Sequence, residues 1–310
     1  MAYAGAWRKI TPNALFPCGE TDAWDRDPSA PHVLRVGDKL RMYYMGRLDG
    51  RIRTGFAEAP VDDPLNWTKH PGNPVLDLAG PGEPDSEWCA YPWVVPITET
   101  RWHMYNVGFG GEYWRERAKI WYTMLAVSDD AGITWTRSGL GPLINVGEKG
   151  APHEAASGSC AVLKVGDEYR MYYTALRDGP GYPRGLYISI ALATSPDGRA
   201  FTPHEAGAVV EPDIDNPLED FCCSKPVVYL KNGRYQLWYN TAGLKYRVRY
   251  AESDDGIHFE PDPNVVIDAS ESGWDAVMTE YPCLVEQPDR DLLYYCGDTF
   301  AGIGVAERRR

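Results

Sequence analysis

Residues 161–173 read AVLKVGDEYRMYY: an apolar strand, a Gly-Asp turn, and a second strand that ends in two tyrosines. A related pattern occurs five times along the 310 residues. The five copies begin at Pro31, Pro92, Cys160, Pro226 and Pro282. Their starts are separated by 61, 68, 66 and 56 residues. A repeat of this length predicts similar supersecondary units that stack around or along an axis.

Each copy carries two further strand signals. In the third copy, residues 186–191 form an apolar run that a Ser-Pro-Asp-Gly turn closes at residues 195–198, and a short apolar segment follows at 208–210. Similar Ser-Asp-containing turns recur at residues 128–132 and 253–256, and an aromatic residue follows each turn within three residues. Four antiparallel strands in about 60 residues are typical of one blade of a β-propeller.

The two ends of the chain complement each other. The fifth copy has no fourth strand, whereas Trp7 and residues 13–16 supply the missing aromatic residue and an apolar strand at the N-terminus. We therefore expect the N-terminal strand to join the last blade and close a ring, which hides the strand edges of an open array. The predicted fold is an all-β, five-bladed β-propeller with four-stranded antiparallel blades, in one domain that spans residues 1–310.

The composition excludes several classes of partner. A net charge of −13 and a pI near 4.9 argue against nucleic acid and against an anionic membrane surface. The N-terminal residues lack the apolar core of a signal peptide, and no segment is long enough to span a bilayer. The seven cysteines have no CxxC spacing, which indicates reduced thiols in a cytoplasmic protein and no zinc site. We expect neither a metal nor a cofactor, and the oligomeric state stays open.

The loops that precede the aligned strands carry the candidate catalytic residues. In a propeller these loops converge at one end of the central channel, so residues that repeat around the ring belong to the scaffold and polar residues that differ belong to the site. Every loop holds at least one carboxylate: Asp27, Glu87, Glu154, Asp220 and Glu280. Asp25 is a sixth candidate, but Trp24-Asp25 and Trp274-Asp275 resemble copies of each other, which favours a turn-capping role for Asp25.

Several converging carboxylates suit the hydrolysis of a glycosidic bond. Like charges at close range raise the pKa of one carboxyl group and leave another ionised, and this reaction needs both an acid and a base or nucleophile. Basic residues on the same loops could orient hydroxyls, bind an acidic group of the substrate, or form ordinary surface ion pairs. The predicted substrate-binding residues are these basic residues together with loop aromatics that could stack on sugar rings: His32, Arg26, His153, Lys225, Trp88, Tyr91 and Tyr281.

The chain resembles the five-bladed propeller glycosidases, which include glycoside hydrolase families 43, 32, 68, 62 and 130, over essentially its whole length. The residues that carry the resemblance are Trp24-Asp25, residues 31–34 with Tyr43-Tyr44, and the segments 191–198, 235–239 and 302–306. The resemblance implies a first-blade aspartate as base or nucleophile, which is Asp27 or Asp25 here. It further implies Glu154 as the general acid and Asp220 as a third carboxylate, with Glu87 and Glu280 in reserve.

The expected function is therefore a glycoside hydrolase that acts on a glycoside or oligosaccharide, with furanosides among the options. The resemblance also implies inversion of the anomeric centre. Three alternatives stay open: a phosphorylase that uses phosphate as acceptor, a propeller that binds a carbohydrate or metabolite without catalysis, and another reaction on a small metabolite. Two glycine- and aromatic-rich inserts, residues 108–117 and 177–184, would form a pocket if they fold over the channel mouth.

Overall fold

The computed structural model of the protein describes residues 7–243, 245–298 and 300–309. These residues form twenty-two β-strands and one 3-10 turn at Pro183–Gly185, without an α-helix in the described part. The strands make two eight-stranded sheets, one four-stranded sheet and one two-stranded hairpin. Each eight-stranded sheet consists of two four-stranded antiparallel groups, which a single parallel residue pair joins, Ile52 with Trp88 and Ile188 with Cys222.

The strands fall into five groups in chain order, except that the N-terminal strand belongs to the last group. Group one contains β2 (Asp27–Val36), β3 (Lys39–Leu48), β4 (Arg51–Pro60) and β5 (Thr68–Lys69). Group two contains β6 (Trp88–Pro96), β7 (Trp102–Phe109), β10 (Tyr122–Ser128) and β11 (Thr136–Arg137), and the hairpin of β8 (Tyr113–Trp114) and β9 (Ala118–Lys119) extends it. Group three contains β12 (Ala156–Val165), β13 (Glu168–Asp178), β14 (Leu186–Ser195) and β15 (Thr202–Val210).

Group four contains β16 (Cys222–Lys231), β17 (Arg234–Ala242), β18 (Tyr246–Ser253) and β19 (Glu260–Pro261). Group five contains β20 (Glu280–Glu286), β21 (Arg290–Cys296), β22 (Ile303–Arg309) and the N-terminal β1 (Arg8–Lys9). β1 pairs with β22 in antiparallel register, and a further bridge joins Phe16 to Ile303. The N-terminal region therefore supplies the fourth strand of group five, as the sequence predicted, although the strand is Arg8–Lys9 and the predicted strand at residues 13–16 contributes the bridge at Phe16.

Tyrosines on the second strands fasten neighbouring groups to one another. The hydroxyl groups of Tyr43, Tyr105 and Tyr172 donate to the carbonyl oxygens of Gly132, Gly198 and Gly256 in the following group, at 2.7–2.8 Å. Tyr294 of group five donates in the same way to Pro64 of group one, at 2.9 Å. These tyrosines are fully buried, so a hydroxyl without a partner would be costly there and the bonds specify how the groups meet.

The glycines that accept from Tyr43, Tyr105 and Tyr172 lie in the predicted Ser-Asp-containing turns. In each turn, a serine hydroxyl accepts from the glycine N–H at 2.9 Å and donates to the aspartate, as in Ser195, Asp197 and Gly198. The aromatic residue after each turn packs edge-on against the tyrosine of the preceding group, as Phe201 does with Tyr105. The repeated Ser-Asp-Gly pattern is therefore a scaffold feature that positions one group on the next.

The first strands of the five groups lie against one another. β2 contacts β6 and β20, and β12 contacts β6 and β16. Their N-terminal ends bring the loops that carry the candidate carboxylates toward one end of the molecule. The site is therefore assembled from several groups rather than from one loop.

Candidate functional site

Each first strand is interrupted by a β-bulge near its beginning. The register with the second strand shifts between Ser29 and His32, Ala90 and Trp93, Ser157 and Cys160, Ser224 and Val227, and Glu280 and Cys283. Within four of these bulges a residue other than glycine has a positive φ angle: Ala30 (50°), Tyr91 (52°), Lys225 (49°) and Tyr281 (57°). Such backbone costs free energy, and bulges of this kind commonly re-aim a side chain next to a functional site.

The bulge position differs in chemistry from group to group. Tyr91, Lys225 and Tyr281 come directly before a proline, and Ser159 comes before Cys160 at the corresponding place in group three. All four line one cavity of about 160 Å³. A strained position with a variable side chain is what the sequence rule predicts for a site rather than for the scaffold.

The walls of this cavity are largely aromatic. Five rings line it, two from β6 and one each from the segment before β10, from β18 and from β20: Trp88, Tyr91, Trp121, Tyr246 and Tyr281. The hydroxyl groups of Tyr91 and Tyr281 are in hydrogen-bond contact, although 190 residues separate them in the chain. Small polar side chains, Ser159, Thr174 and Ser224, complete the lining together with Lys225. An apolar, aromatic enclosure with a few polar groups is typical of a small-molecule site.

Glu280 is a buried carboxyl group beside this cavity. Its side chain is 2% exposed, and burial raises its pKa to about 8 while Asp298 adds repulsion and Tyr281 and Arg47 oppose the shift. Its charge acts in turn on Tyr91, Tyr246 and Cys222, all of which line the cavity. Glu280 therefore holds a proton near neutral pH next to the aromatic enclosure, as a general acid must.

Asp27 and Glu280 interact with the same cation, Arg47. Arg47 Nε donates to Asp27 Oδ2 at 3.1 Å, and Arg26 lies 3.5 Å from the other carboxylate oxygen. Arg47 also acts on the pKa of Glu280 and stacks on Phe300 at 4.3 Å. One guanidinium therefore pairs with Asp27 and also acts on the buried, protonated Glu280.

Asp25 has the contacts of a scaffold residue. It accepts from Tyr44 Oη at 2.7 Å and pairs with Lys69 at 2.7 Å. Asp275 accepts from Tyr295 Oη at 2.8 Å and pairs with Lys9 at 2.6 Å. Trp24 and Trp274 stack on these two tyrosines in the same manner. The duplicated environment supports the structural role that the sequence favoured for Asp25.

Glu154 is buried, but ion pairs and hydrogen bonds occupy both of its oxygens. Oε1 lies 3.3 Å from Arg115, and Oε2 accepts from the N–H of Gly150 at 3.0 Å. Arg115 and Arg117 of the first insert also pair with Asp178 of the second, at 2.7 and 2.8 Å. The two inserts are therefore linked to each other and to Glu154. Both carboxylate oxygens of Glu154 therefore already have protein partners, which suits a structural role better than proton donation to a substrate.

The remaining carboxylate candidates, Glu87 and Asp220, are less buried than Glu280. Glu87 is partly exposed and lies 3.8 Å from Arg51, a distance typical of a weak surface ion pair. Asp220 is half-buried next to Gly243, where an added Cβ atom would come within 2.9 Å of its Oδ1. None of the candidate carboxylates is part of the cavity lining itself, and Glu280 differs from Glu87 and Asp220 in being buried directly before the lining residue Tyr281.

The two candidate histidines are buried outside this cavity. His32 Nε2 contacts the carbonyl oxygen of Val94 at 3.1 Å, and burial lowers the pKa of His32 to about 3. His32 lines a second cavity of about 530 Å³ toward the other ends of the first strands. His153 Nδ1 contacts Tyr173 Oη at 3.1 Å, and burial lowers its pKa. The contact of Tyr173 with His153 in group three therefore corresponds to the hydrogen bond from Tyr44 to Asp25 in group one.

Sequence reasoning missed three contributors because they do not precede a first strand. Trp121 lies just before β10 and Tyr246 begins β18. Lys119 of the β8–β9 hairpin lies over the ring of Trp88 at 3.9 Å, and burial lowers its pKa. All three residues lie outside the inserts at 108–117 and 177–184, so the sequence carried no signal for them.

Comparisons with known proteins agree with the fold. No family model matches the chain. The uncharacterized protein Rv1502 of Mycobacterium tuberculosis is 28% identical over 312 residues, covering 97% of this chain and 98% of that protein. A solved structure described as a complex of BT0996 with RGII superposes with a TM-score of 0.78 at 19% identity, covering 97% of this chain and 92% of that one.

A second solved structure belongs to GH130, described as a family of mannoside phosphorylases that contains glycoside hydrolases targeting β-1,2 mannosidic linkages. It has a TM-score of 0.74 at 16% identity and covers 99% of this chain and 94% of that one. The chain has the fold of glycoside-hydrolase-like proteins. This finding confirms the resemblance at the level of fold, and at such low identity it carries no reaction or substrate.

Membrane-spanning helices and metal-binding clusters are both absent from the described part of the chain. None of the described segments forms a helix of the length and apolarity needed to traverse a bilayer. Within residues 7–243, 245–298 and 300–309, no group of three or more His, Cys, Asp and Glu side chains is arranged to hold a metal ion.

Proposed function

We propose that this protein is a glycoside hydrolase whose substrate enters the aromatic cavity, with Glu280 as general acid and Asp27 as the second carboxylate. The observation that carries the proposal is the buried, protonated Glu280 beside five aromatic rings. A carbohydrate ring has apolar faces that suit such walls and a leaving oxygen that needs a proton. The fold shared with glycoside-hydrolase-like proteins agrees with this assignment.

The proposed reaction balances with these two groups. As the bond between the anomeric carbon and the glycosidic oxygen breaks, Glu280 transfers its proton to the leaving oxygen. Asp27 either takes a proton from an attacking water molecule, or attacks the anomeric carbon to form a glycosyl ester that water then hydrolyses while the Glu280 carboxylate takes the proton of that water. Arg47 pairs with Asp27 and offsets the negative charge that Glu280 acquires. The guanidinium therefore supports both halves of the reaction.

We further propose that the five strand groups are the blades of one closed ring, a single domain that spans residues 1–310. The pairing of β1 with β22 and the bond from Tyr294 to Pro64 support a connection between the last group and the first. The mutual contacts of the first strands support a common axis. In such a ring, Asp27 and Glu280 belong to adjacent blades.

The role of Glu280 as an acid can be tested with leaving groups of different acidity. Glu280→Gln should lower turnover by at least about 10²-fold on glycosides with a poor leaving group. It should lower turnover far less on dinitrophenyl glycosides, because their leaving oxygen needs no proton. Glu168→Gln, a half-exposed control on β13 that pairs with Arg170, should retain both activities. Equal losses of Glu280→Gln on both substrates would reject Glu280 as the acid, and Glu154→Gln would be tested next.

A phosphorylase is the second candidate function. Lys225 is a cation in the cavity itself, and phosphate as acceptor would need cationic contacts of this kind. Arg26 already pairs with Asp27 and Asp49, and His153 with Tyr173, so one cation rather than the expected cluster faces the cavity. Turnover that requires phosphate and releases a sugar phosphate would favour this alternative.

A further inference from the structure

Lys225 is a buried amine that lines the aromatic cavity. It is 2% exposed, and its backbone N–H donates to Thr174 Oγ1 at 2.9 Å. It occupies a β-bulge with a φ angle of 49° directly before Pro226. Both the bulge and the proline restrict the backbone, so the fold holds this side chain in place at a cost in strain.

Among the described residues, no carboxylate forms an ion pair with this amine. The ionisable groups that interact with Lys225 there are the thiols of Cys160, Cys283 and Cys296 and the imidazole of His32, and burial lowers the pKa of Lys225. Glu280, the buried acid of the same region, acts on tyrosines and cysteines rather than on Lys225. A buried cation without a counter-charge is expensive. A ligand with an anionic group would supply the missing partner.

Hydroxyl groups surround this position. Ser159 Oγ lies 3.0 Å from Thr174 Oγ1, and Ser224 lines the same cavity. A serine hydroxyl can rotate to donate to a ligand oxygen. One ammonium and two or three hydroxyls match the two oxygens of a carboxylate. A phosphate dianion commonly recruits guanidinium groups as well, and the cavity lining contains no arginine among the described residues.

We propose that Lys225, Ser159 and Ser224 form a subsite for the carboxylate of an acidic sugar, so that the substrate is a glycoside of a uronic acid. This inference rests on the proposed function, because it names the substrate class of the same cavity. The aromatic walls contact the faces of the sugar ring, and the carboxylate points to Lys225. The cavity, at about 160 Å³, is smaller than the roughly 300–1,000 Å³ of drug-sized sites, which favours one terminal sugar unit.

Binding and turnover should be measured separately on matched pairs of ligands. Calorimetry would compare methyl glucuronide with methyl glucoside, and methyl galacturonide with methyl galactoside. Turnover would be followed on the corresponding aryl glycosides in phosphate-free buffer. The variants are Lys225→Met, which keeps the length of the side chain without the charge, and Lys164→Met, an exposed lysine on β12 that lines the other cavity and serves as the matched control.

The wild-type protein should bind at least one of the acids about ten- to hundredfold more tightly than its neutral counterpart, the typical contribution of a hydrogen bond to a charged group. Lys225→Met should abolish this preference, and Lys164→Met should retain it. The melting temperature of Lys225→Met should equal or exceed that of wild type, because the variant removes an uncompensated buried charge. The comparison of acidic with neutral sugars can also be made with the wild-type protein alone. The inference therefore remains testable even if Lys225→Met folds poorly.

The outcomes separate this inference from the proposed function. Turnover of neutral glycosides with no preference for the acids would overturn the carboxylate subsite and leave the hydrolase intact. Lys225-dependent binding of an acid without any turnover would support the subsite and contradict the hydrolase. Equal binding of acids and neutral sugars, or a preference that Lys225→Met retains, would overturn the subsite.

Discussion

The hydroxyl groups of Tyr91 and Tyr281 lie 3.3 Å apart, and their rings meet edge-on with centroids 5.4 Å apart. Both residues occupy the bulge of a first strand, have a positive φ angle and precede a proline. They belong to groups two and five, whose first strands both contact the first strand of group one. Their contact closes one wall of the cavity and places it next to Glu280, because Tyr281 directly follows that residue.

The hydrogen bond between the two tyrosines should make their contributions to stability depend on each other. In a cycle of Tyr91→Phe, Tyr281→Phe and the double variant, we expect a coupling of about 0.5–1.5 kcal/mol in the free energy of unfolding. Chemical denaturation of the four proteins measures it. Strictly additive effects would show that the two hydroxyls do not interact in solution.

The pKa of Glu280 predicts how stability depends on pH. Folding raises this pKa from 4.5 to about 8, so between these values the folded state keeps a proton that the unfolded state has lost. The contribution of Glu280 is therefore fully present below about pH 4.5 and is lost as the pH rises through about 8, with a slope of about 1.4 kcal/mol per pH unit in between. Denaturation of wild type and Glu280→Gln across this range measures the difference. An identical pH dependence of the two proteins would contradict the buried, protonated state.

Asp25 and Asp275 should respond to substitution in the same way. Each accepts from a buried tyrosine and pairs with a lysine, so Asp25→Asn and Asp275→Asn should each reduce the free energy of unfolding by roughly 1–3 kcal/mol. Urea denaturation of both variants checks this. If Asp25→Asn instead left stability unchanged and abolished turnover, Asp25 would be catalytic and the structural role would be wrong.

The link between the two inserts should control the local order of both. Asp178 pairs with Arg115 and Arg117 of the other insert, so Asp178→Asn should increase amide hydrogen exchange in residues 108–117 as well as in 177–184. Asp167→Asn, in the turn between β12 and β13 at the opposite end of β13, is the control. Faster exchange confined to the insert that carries the substitution would show that the inserts behave independently.

Much of the scaffold could be predicted from the sequence because its signals are local. The Tyr-Tyr endings of the second strands, the Ser-Asp-Gly turns and the following aromatics recur in the chain, and the structure joins them in repeated contacts such as that of Tyr105 with Gly198. The exchange of the N-terminal strand followed from the missing fourth strand of the last copy. Each of these features forms contacts between neighbouring strand groups, and the sequence repeat fixes where in each group the contacting residues lie.

The site was less accessible to the same reasoning because burial and charge pairing depend on several groups at once. Glu154 and Glu280 occupy similar loops in the sequence, yet Arg115 of an insert pairs with Glu154 whereas burial keeps Glu280 protonated. The structural role of Asp25 could be distinguished from a catalytic role of Asp27 because the sequence shows a second copy of Trp24-Asp25 at Trp274-Asp275. The cavity residue Tyr246 had no such signal, since it begins a third strand.

A crystal structure of Glu280→Gln with an unhydrolysed glycoside tests the central claim most directly. The account predicts a sugar ring between Tyr91, Tyr246 and Tyr281, with the glycosidic oxygen about 2.6–3.2 Å from the side chain of residue 280 and the carboxylate of Asp27 facing the anomeric carbon or its water. A glycoside that occupies another part of the protein, or one whose glycosidic oxygen points away from residue 280, would contradict it.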